Sequence, residues 1–332
     1  MKKVIVWCIG VVLVVLFVAT IGASFYMLDY SLSPDPERTD TASCYREQFK
    51  NYPETRPWID SLREIRALRD TFVVMPSGER LRVGETSAKR LSTNGAQESS
   101  GMRHHALYIN KDADRTALVL HGWRDCSIDF LWLARLYERE LGYNVVIPDL
   151  HAHGLSEGDM IQMGWLDRKD ALHWLSVFQT DTMVVHGVSM GGATTMMMSA
   201  TELPKGIKDI RFIDDCGYTS VWDEFAGELK NQFGLSEFPL MFTTSLLCKL
   251  HYGWSFGEAS AINEVGKCHH PMLFIHGGND TFVPTEMVHR LYEAMPGKKQ
   301  LWIAEGAEHA ASYWKHREEY VKRVKEFLSC TE

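Results

Sequence analysis

A serine, an aspartate and a histidine, widely separated in the chain, stand in settings that suit nucleophilic attack on an acyl carbon. Ser189 is the centre of Gly187-Val188-Ser189-Met190-Gly191, with an apolar run over 182–186 before it and a small-residue, Met-rich run over 191–200 after it. That context predicts a buried strand, a sharp turn and a helix, with Ser189 held at the tip of the turn under backbone strain. A serine hydroxyl is a weak nucleophile at its own pKa. It needs a neighbouring base, and the base needs a carboxylate to orient it. Two further apolar runs end in residues of those types: 272–276 leads into Gly277-Gly278-Asn279-Asp280, and 300–303 into Glu305-Gly306-Ala307-Glu308-His309.

For these three to meet, their strands must lie in one sheet with their carboxyl ends on one edge, where open parallel sheets bind ligands. The rest of the chain fits that demand. Strands are expected at 71–75, 105–109, 117–120, 144–147 and 207–213, and helices at 59–68, 128–141, 166–178, 285–295 and 312–328. Such alternation predicts an α/β fold, with a mostly parallel central sheet flanked by helices. Two stretches break the rhythm. Residues 82–104 are polar and lack periodicity, which reads as a disordered inserted loop. Residues 217–268 carry Trp222, Phe225, Leu229, Phe233, Phe242 and Leu246 at largely helical spacing. They are too long for a plain crossover and predict a small helical cap over the sheet's carboxyl edge.

The amino terminus is the strongest compositional anomaly. Residues 4–28 run without a charge, long enough to cross a bilayer as one helix, and Lys2 and Lys3 precede them. Their charge favours a cytoplasmic amino end, so the expectation is a single-pass membrane protein with its folded part extracytoplasmic. A cleaved signal peptide, with Gly22-Ala23-Ser24 as the cleavage site, is the rival reading. The organisation expected is an anchor over 1–28, a juxtamembrane spacer over 29–60 and a globular domain over 61–332. With 332 residues, 45% of them apolar, the chain can bury a large core. A net charge of −8 and no Lys/Arg stripe exclude a nucleic-acid footprint. The seven cysteines contain no CxxC pair and read mostly as free thiols.

The chain resembles the α/β-hydrolase superfamily, and within it membrane-tethered bacterial esterase/lipase-like or serine-aminopeptidase-like hydrolases. The resemblance covers about 71–328 outside the inserted loop. It rests on His121-Gly122-Trp123, on Asp149 through His153-Gly154-Leu155-Ser156, on the Ser189 turn, on the segment from Gly277 to Pro284, and on the His309 loop. The chain order Ser, Asp, His is that of the superfamily. The resemblance implies Ser189 as nucleophile, His309 as general base and then acid, and Asp280 as its orienter. One departure is His151, where relatives often carry Arg. An oxyanion needs fixed donors. The backbone N–H of Met190 is one candidate and that of Trp123, in the loop after strand 117–120, the other. No cofactor or metal is needed for this chemistry.

Other assignments compete. Asp214 and Asp215 end a strand from which some relatives supply the carboxylate. Asp149, His151 and His153 have ligand-type side chains, but their spacing suits structural hydrogen bonds in a loop. The pairs His104-His105 and His269-His270 show no third ligand, and Cys126 lacks the strand-turn-helix setting of a nucleophile. The expected reaction is cleavage of a small carboxylic ester with an apolar acyl group. An aminopeptidase or amidase would use the same triad and would need an acidic group for a substrate ammonium, with Asp214, Asp215, Glu224 and Glu228 as candidates. A non-catalytic binding module is the remaining alternative.

Overall fold

The computed structural model describes residues 2–76 and 101–329. Three helices come first, α1 (Lys2–Leu32), α2 (Thr41–Asn51) and α3 (Thr55–Glu64), then strands β1 (Leu68–Val74), β2 (Arg103–Ile109) and β3 (Arg115–Leu120). After these come α4 (Leu131–Arg135), β4 (Asn144–Pro148), α5 (Asp167–Val177), β5 (Thr182–Val188), α6 (Met190–Met198) and β6 (Asp209–Asp215). Helices α7 (Val221–Phe233), α8 (Leu240–Tyr252) and α9 (Ala261–Val265) occupy the stretch between β6 and β7 (Met272–Gly277). Helix α10 (Glu286–Ala294), β8 (Lys299–Ala304), α11 (Ser312–Lys315) and α12 (Arg317–Ser329) complete the chain.

The strands form one eight-stranded sheet in the order β1-β2-β4-β3-β5-β6-β7-β8. β1 and β2 pair antiparallel, as do β2 and β4, and all later pairs are parallel. The parallel strands inside the sheet, β3 to β7, are buried on both faces, so they read as continuous apolar runs such as Leu118, Val119 and Leu120. The chain passes from β3 outward to β4 and returns to β5 on the other side of β3. A crevice therefore opens between the carboxyl ends of β3 and β5.

Several boundaries differ from expectation, for local reasons. The helix expected at 59–68 is α3, which starts four residues earlier, and Leu68 already belongs to β1. The helix expected at 128–141 is a 3-10 turn over Ser127–Phe130, then α4, then a wider π-type turn over Leu136–Leu141. That over 312–328 breaks at His316 into α11 and α12. Of the expected inserted loop 82–104, residues 82–100 lie outside the described residues, whereas Arg103 and His104 already pair with Val74 and Val73.

The expected division at 28 and 60 is also corrected. α1 continues to Leu32, and its end is packed into the domain, with Leu28 and Leu32 buried. The expected spacer holds α2, capped by Asp40 through its hydrogen bond from the Ser43 N–H, and the start of α3. α3 buries Trp58, Ile59 and Leu62 along one stripe. The Trp58 indole donates to Glu138 at 2.9 Å, and this buried bond ties α3 to the π-type turn.

The loop after β4 is organised around Asp149. Its Oδ1 accepts from the Ser127 N–H at 2.7 Å, and its Oδ2 accepts from the Leu155 N–H at 2.8 Å and lies 2.7 Å from His105 Nδ1. Gly154 has φ +46°, and a Cβ there would lie 2.1 Å from that carboxylate. His105 Nε2 also lies 3.1 Å from Asp70. Burial alone would lower the His105 pKa, but the two carboxylates outweigh it and hold it at about 9. Because this value is raised above the ordinary 6.5, the stabilisation is fully present below about pH 6.5 and is lost as pH rises through 9. The expected loss is about 3 kcal/mol. Thermal melting of the detergent-solubilised chain at pH 6 and pH 9.5 checks this, and His105→Gln should flatten the slope.

Candidate active site

The turn at Ser189 is built by steric exclusion. A Cβ on Gly187 would lie 1.9 Å from the Gly191 carbonyl oxygen, and one on Gly191 would lie 2.0 Å from that of Leu120. Only glycine at both positions lets β5 run into α6 at this separation. The turn leaves Ser189 at φ +56° and ψ −118°, a strained backbone for a residue with a side chain. Two backbone bonds hold it: the Ser189 N–H donates to the Asp215 carbonyl at 2.8 Å, and the Ala193 N–H donates to the Ser189 carbonyl at 3.0 Å. All nine residues of α6 are buried.

Asp280 and His309 reach the same edge from β7 and β8. Ser189 Oγ lies 2.9 Å from His309 Nε2, and His309 Nδ1 lies 2.8 Å from Asp280 Oδ2. The other carboxylate oxygen of Asp280 accepts from the N–H groups of Phe282 and Val283, at 3.1 and 2.9 Å. His276 Nε2, 3.4 Å from Asp280 Oδ2, lies 2.9 Å from the Val283 carbonyl. Burial alone would raise the Asp280 pKa. Hydrogen bonds and charge from His276 and His309 outweigh it and hold the carboxyl at about 2, so it is an anion at neutral pH. An anion at Nδ1 fixes the neutral imidazole as the tautomer whose Nε2 is free to accept a proton from Ser189.

The loop after β3 packs against the serine, with Gly122 so placed that a Cβ on it would lie 3.6 Å from that of Ser189. Trp123 and Met190 line one narrow cavity of about 70 Å³ with Ser189. Met190 opens α6, where the first N–H groups of a helix lack intrahelical partners. His121 is buried: its Nε2 accepts from the Leu150 N–H at 2.9 Å, and its Nδ1 lies 2.8 Å from the Gly122 carbonyl. Burial lowers its pKa, which suits a neutral ring holding two loops together.

The acidic candidates separate cleanly. Asp214 and Asp215 end β6, beside Gly187 and Val188 of β5, and do not line the cavity. Asp215 accepts from the Tyr320 hydroxyl at 2.8 Å, and Asp214 from the Gly217 N–H at 3.1 Å. Glu224 and Glu228, one turn apart on α7, do line it. Glu224 is buried, and its Oε2 has no hydrogen-bond partner among the described residues. Burial first, and Glu228 second, push its carboxyl well above the ordinary range.

Some lining residues had no signal in their own neighbourhood. Tyr30 and Ser31 come from the end of α1, in a stretch whose composition reads as membrane helix and spacer. The Trp123 indole donates to the Ser31 carbonyl at 3.0 Å, joining the loop after β3 to α1. The histidines need a correction too: His104 does have neighbours of ligand type. His104, His151 and Asp170 have such atoms within 4.8 Å of one another, because β2, the loop after β4 and α5 converge there. Cys216, Asp280 and His309 make a second such group. Burial pushes the Cys216 thiol well up, which disfavours the thiolate a metal would need. Cys126 is buried beside Cys44, whose thiol it hydrogen-bonds. A larger groove, about 490 Å³ and lined by Tyr52, Trp132, Arg135 and Trp314, contains none of the three residues that meet at the turn.

No family model matches the chain. YqkD of Bacillus subtilis, an uncharacterized protein, is 32% identical to it over 222 residues, which is 65% of this chain and 72% of YqkD. Among solved structures, the Pyrococcus furiosus esterase Pf2001 aligns with a TM-score of 0.55 at 24% identity, covering 69% of this chain and 86% of the esterase. The Pyrococcus horikoshii acylaminoacyl peptidase aligns with a TM-score of 0.51 at 17% identity, covering 68% of this chain and 39% of the peptidase. At these identities the two structures show the fold alone.

Proposed function

Since the chain belongs to one family with YqkD and has the α/β-hydrolase fold, we propose that it is a membrane-tethered serine hydrolase that cleaves carboxylic esters. The observation that carries this reading is the relay of 2.9 and 2.8 Å from Ser189 through His309 to Asp280. His309 takes the Ser189 proton as Oγ attacks the acyl carbon, and Asp280 stabilises the imidazolium that results. The N–H groups of Met190 and Trp123 are the donors assigned to the oxyanion. The imidazolium then gives its proton to the leaving alcohol. Water, activated by the same imidazole, releases the acyl group and restores Ser189. The triad needs no metal or cofactor for these steps. α1 is long and apolar enough to span a bilayer, which supports an anchored protein. With Lys2 and Lys3 at its amino end, the reading places the catalytic domain on the extracytoplasmic side.

A fluorophosphonate probe tests this on the full chain in detergent, together with a panel of p-nitrophenyl esters. The expected result is ester turnover and a single labelled peptide containing Ser189. Turnover without that label would overturn the assignment.

Glu224 gives specific support to a second reading, an amidase for substrates with an ammonium group, because a buried carboxyl whose Oε2 has no hydrogen-bond partner among the described residues lines the nucleophile's cavity. A cation there would gain a counter-ion in a poorly solvated site. Glu224→Gln is expected to lower the ratio of aminoacyl-arylamide to acyl-ester turnover by about tenfold. An unchanged ratio would remove the second reading.

A further inference from the structure

The cap carries an apolar surface that the fold leaves uncovered. Phe238, Phe242, Leu246 and Leu250 recur every fourth residue into and along α8, and they are 74%, 54%, 57% and 62% exposed. The opposite side of the same helix buries Met241, Thr244 and Cys248. Phe233 and Leu235, at the end of α7, extend the exposed surface. An apolar patch of this extent normally marks an interface.

The position of α1 says what lies against it. α1 packs alongside α8, and Ser24 and Thr243 share a hydrogen bond of 2.5 Å between their hydroxyls. At 100° per residue, Phe242, Leu246 and Leu250 all fall within about 100° of Thr243 around α8, so the exposed stripe continues the surface of α1. The register matches as well. At 1.5 Å per residue, Ser24 lies about 30 Å from Lys3, the thickness of a hydrocarbon core. Before that point α1 is free of the domain: residues 3–19 are all exposed. Just beyond it, Phe25 and Tyr26 are exposed where an aromatic belt belongs. A bilayer spanned by residues 3–22 therefore ends at the level of α8.

We propose that the outer face of α8, from Phe238 to Leu250, sits in the lipid surface beside α1, and that substrate reaches Ser189 laterally from the bilayer between α1 and α7. The substrate class is then a long-chain acyl ester dissolved in the membrane. This rests on the reading of α1 as a membrane span and of Ser189 as the nucleophile. The cavity supports the route, because Tyr30 and Ser31 of α1 form one wall and Phe225, Glu228 and Gln232 of α7 the other. A second small cavity shares these five residues and extends between α1, α7 and α8 to Met27, Phe233 and Met241. The contact that closes the gap is light: the Tyr30 hydroxyl donates to Gln232 at 3.0 Å, and the Tyr30 ring meets Phe233 edge-on at 6.0 Å.

The test uses the full chain reconstituted in phosphatidylcholine/phosphatidylglycerol vesicles. With p-benzoylphenylalanine in place of Phe242, irradiation is expected to attach lipid to the protein, whereas the same probe in place of exposed Lys322 on α12 should not. Capture of a second copy of the chain at 242, or of nothing, would overturn the proposal. This arm needs no turnover, so it stands apart from the assignment of Ser189. Carbonate extraction of the same vesicles separates the span from the cap: an anchored chain whose 242 probe captures no lipid sinks the cap inference alone. In the second arm, Phe238→Ser, Phe242→Ser and Leu246→Ser together are expected to lower turnover of vesicle-dissolved 4-methylumbelliferyl oleate about tenfold relative to water-soluble p-nitrophenyl acetate. All three side chains are exposed, so their loss should not unfold the cap, and equal turnover ratios in variant and parent would overturn the lateral route.

Discussion

Ser189→Ala is expected to reduce ester turnover by about 10⁵-fold or more and to abolish fluorophosphonate labelling, with little change in thermal stability. The size follows from what one atom does. In the proposed mechanism Oγ supplies the bond to the acyl carbon, and without it His309 and Asp280 have no nucleophile to activate. The backbone donors and the binding cavity remain, so a residual rate above the uncatalysed one is expected. Stability should hold because the fold depends on Ser189 through its backbone: its N–H bonds to Asp215 and its carbonyl receives the Ala193 N–H. Among the described residues, its hydroxyl bonds His309. Alanine keeps a Cβ and therefore keeps the positive-φ strain, so the comparison isolates the hydroxyl. Turnover within about tenfold of the parent would mean that the relay is a structural hydrogen-bond chain and that the reaction, if any, proceeds elsewhere.

The strands that carry this relay were legible because a strand inside a parallel sheet, such as β5 or β7, is buried on both faces and has a strong one-dimensional signature. β5, β7 and β8 each show an apolar run closed by glycine or by polar residues, and the observed strands extend one or two residues beyond the runs. The turn at Ser189 was legible because only glycine survives at 187 and 191. What stayed hidden needed contacts between distant segments. α2 fell in a stretch rich in charge and proline and buries only Gln48, so it leaves little apolar periodicity. The roles of Tyr30 and Ser31 depend on α1 docking on the cap, which no local pattern encodes. The grouping of His104, His151 and Asp170 joins a strand, a loop and a helix far apart in the chain. Glu224 and Glu228 were recognisable as acidic groups, yet their difference from Asp214 and Asp215 appears only once the lining of the cavity at Ser189 is known.

The largest effect expected from a residue that never touches substrate is that of Asp280→Asn, a loss of about 10⁴-fold in turnover with the fold intact. The surroundings of Asp280 dictate how the amide must sit. One carboxylate oxygen accepts from two backbone N–H groups, of Phe282 and Val283, so the asparagine carbonyl has to take that place. The NH₂ group is then turned toward His309 Nδ1 and toward His276. An NH₂ donor at Nδ1 selects the tautomer that carries its proton on Nε2, and that nitrogen no longer accepts a proton from Ser189. Geometry is preserved while the base is lost. Asp215→Asn provides the contrast: Asp215 ends the neighbouring strand, and its carboxylate bonds Tyr320 rather than His309. Its substitution is expected to change turnover by less than about tenfold, through packing alone. A large loss on Asp215→Asn together with a small one on Asp280→Asn would move the orienting carboxylate to β6 and overturn the assignment of Asp280.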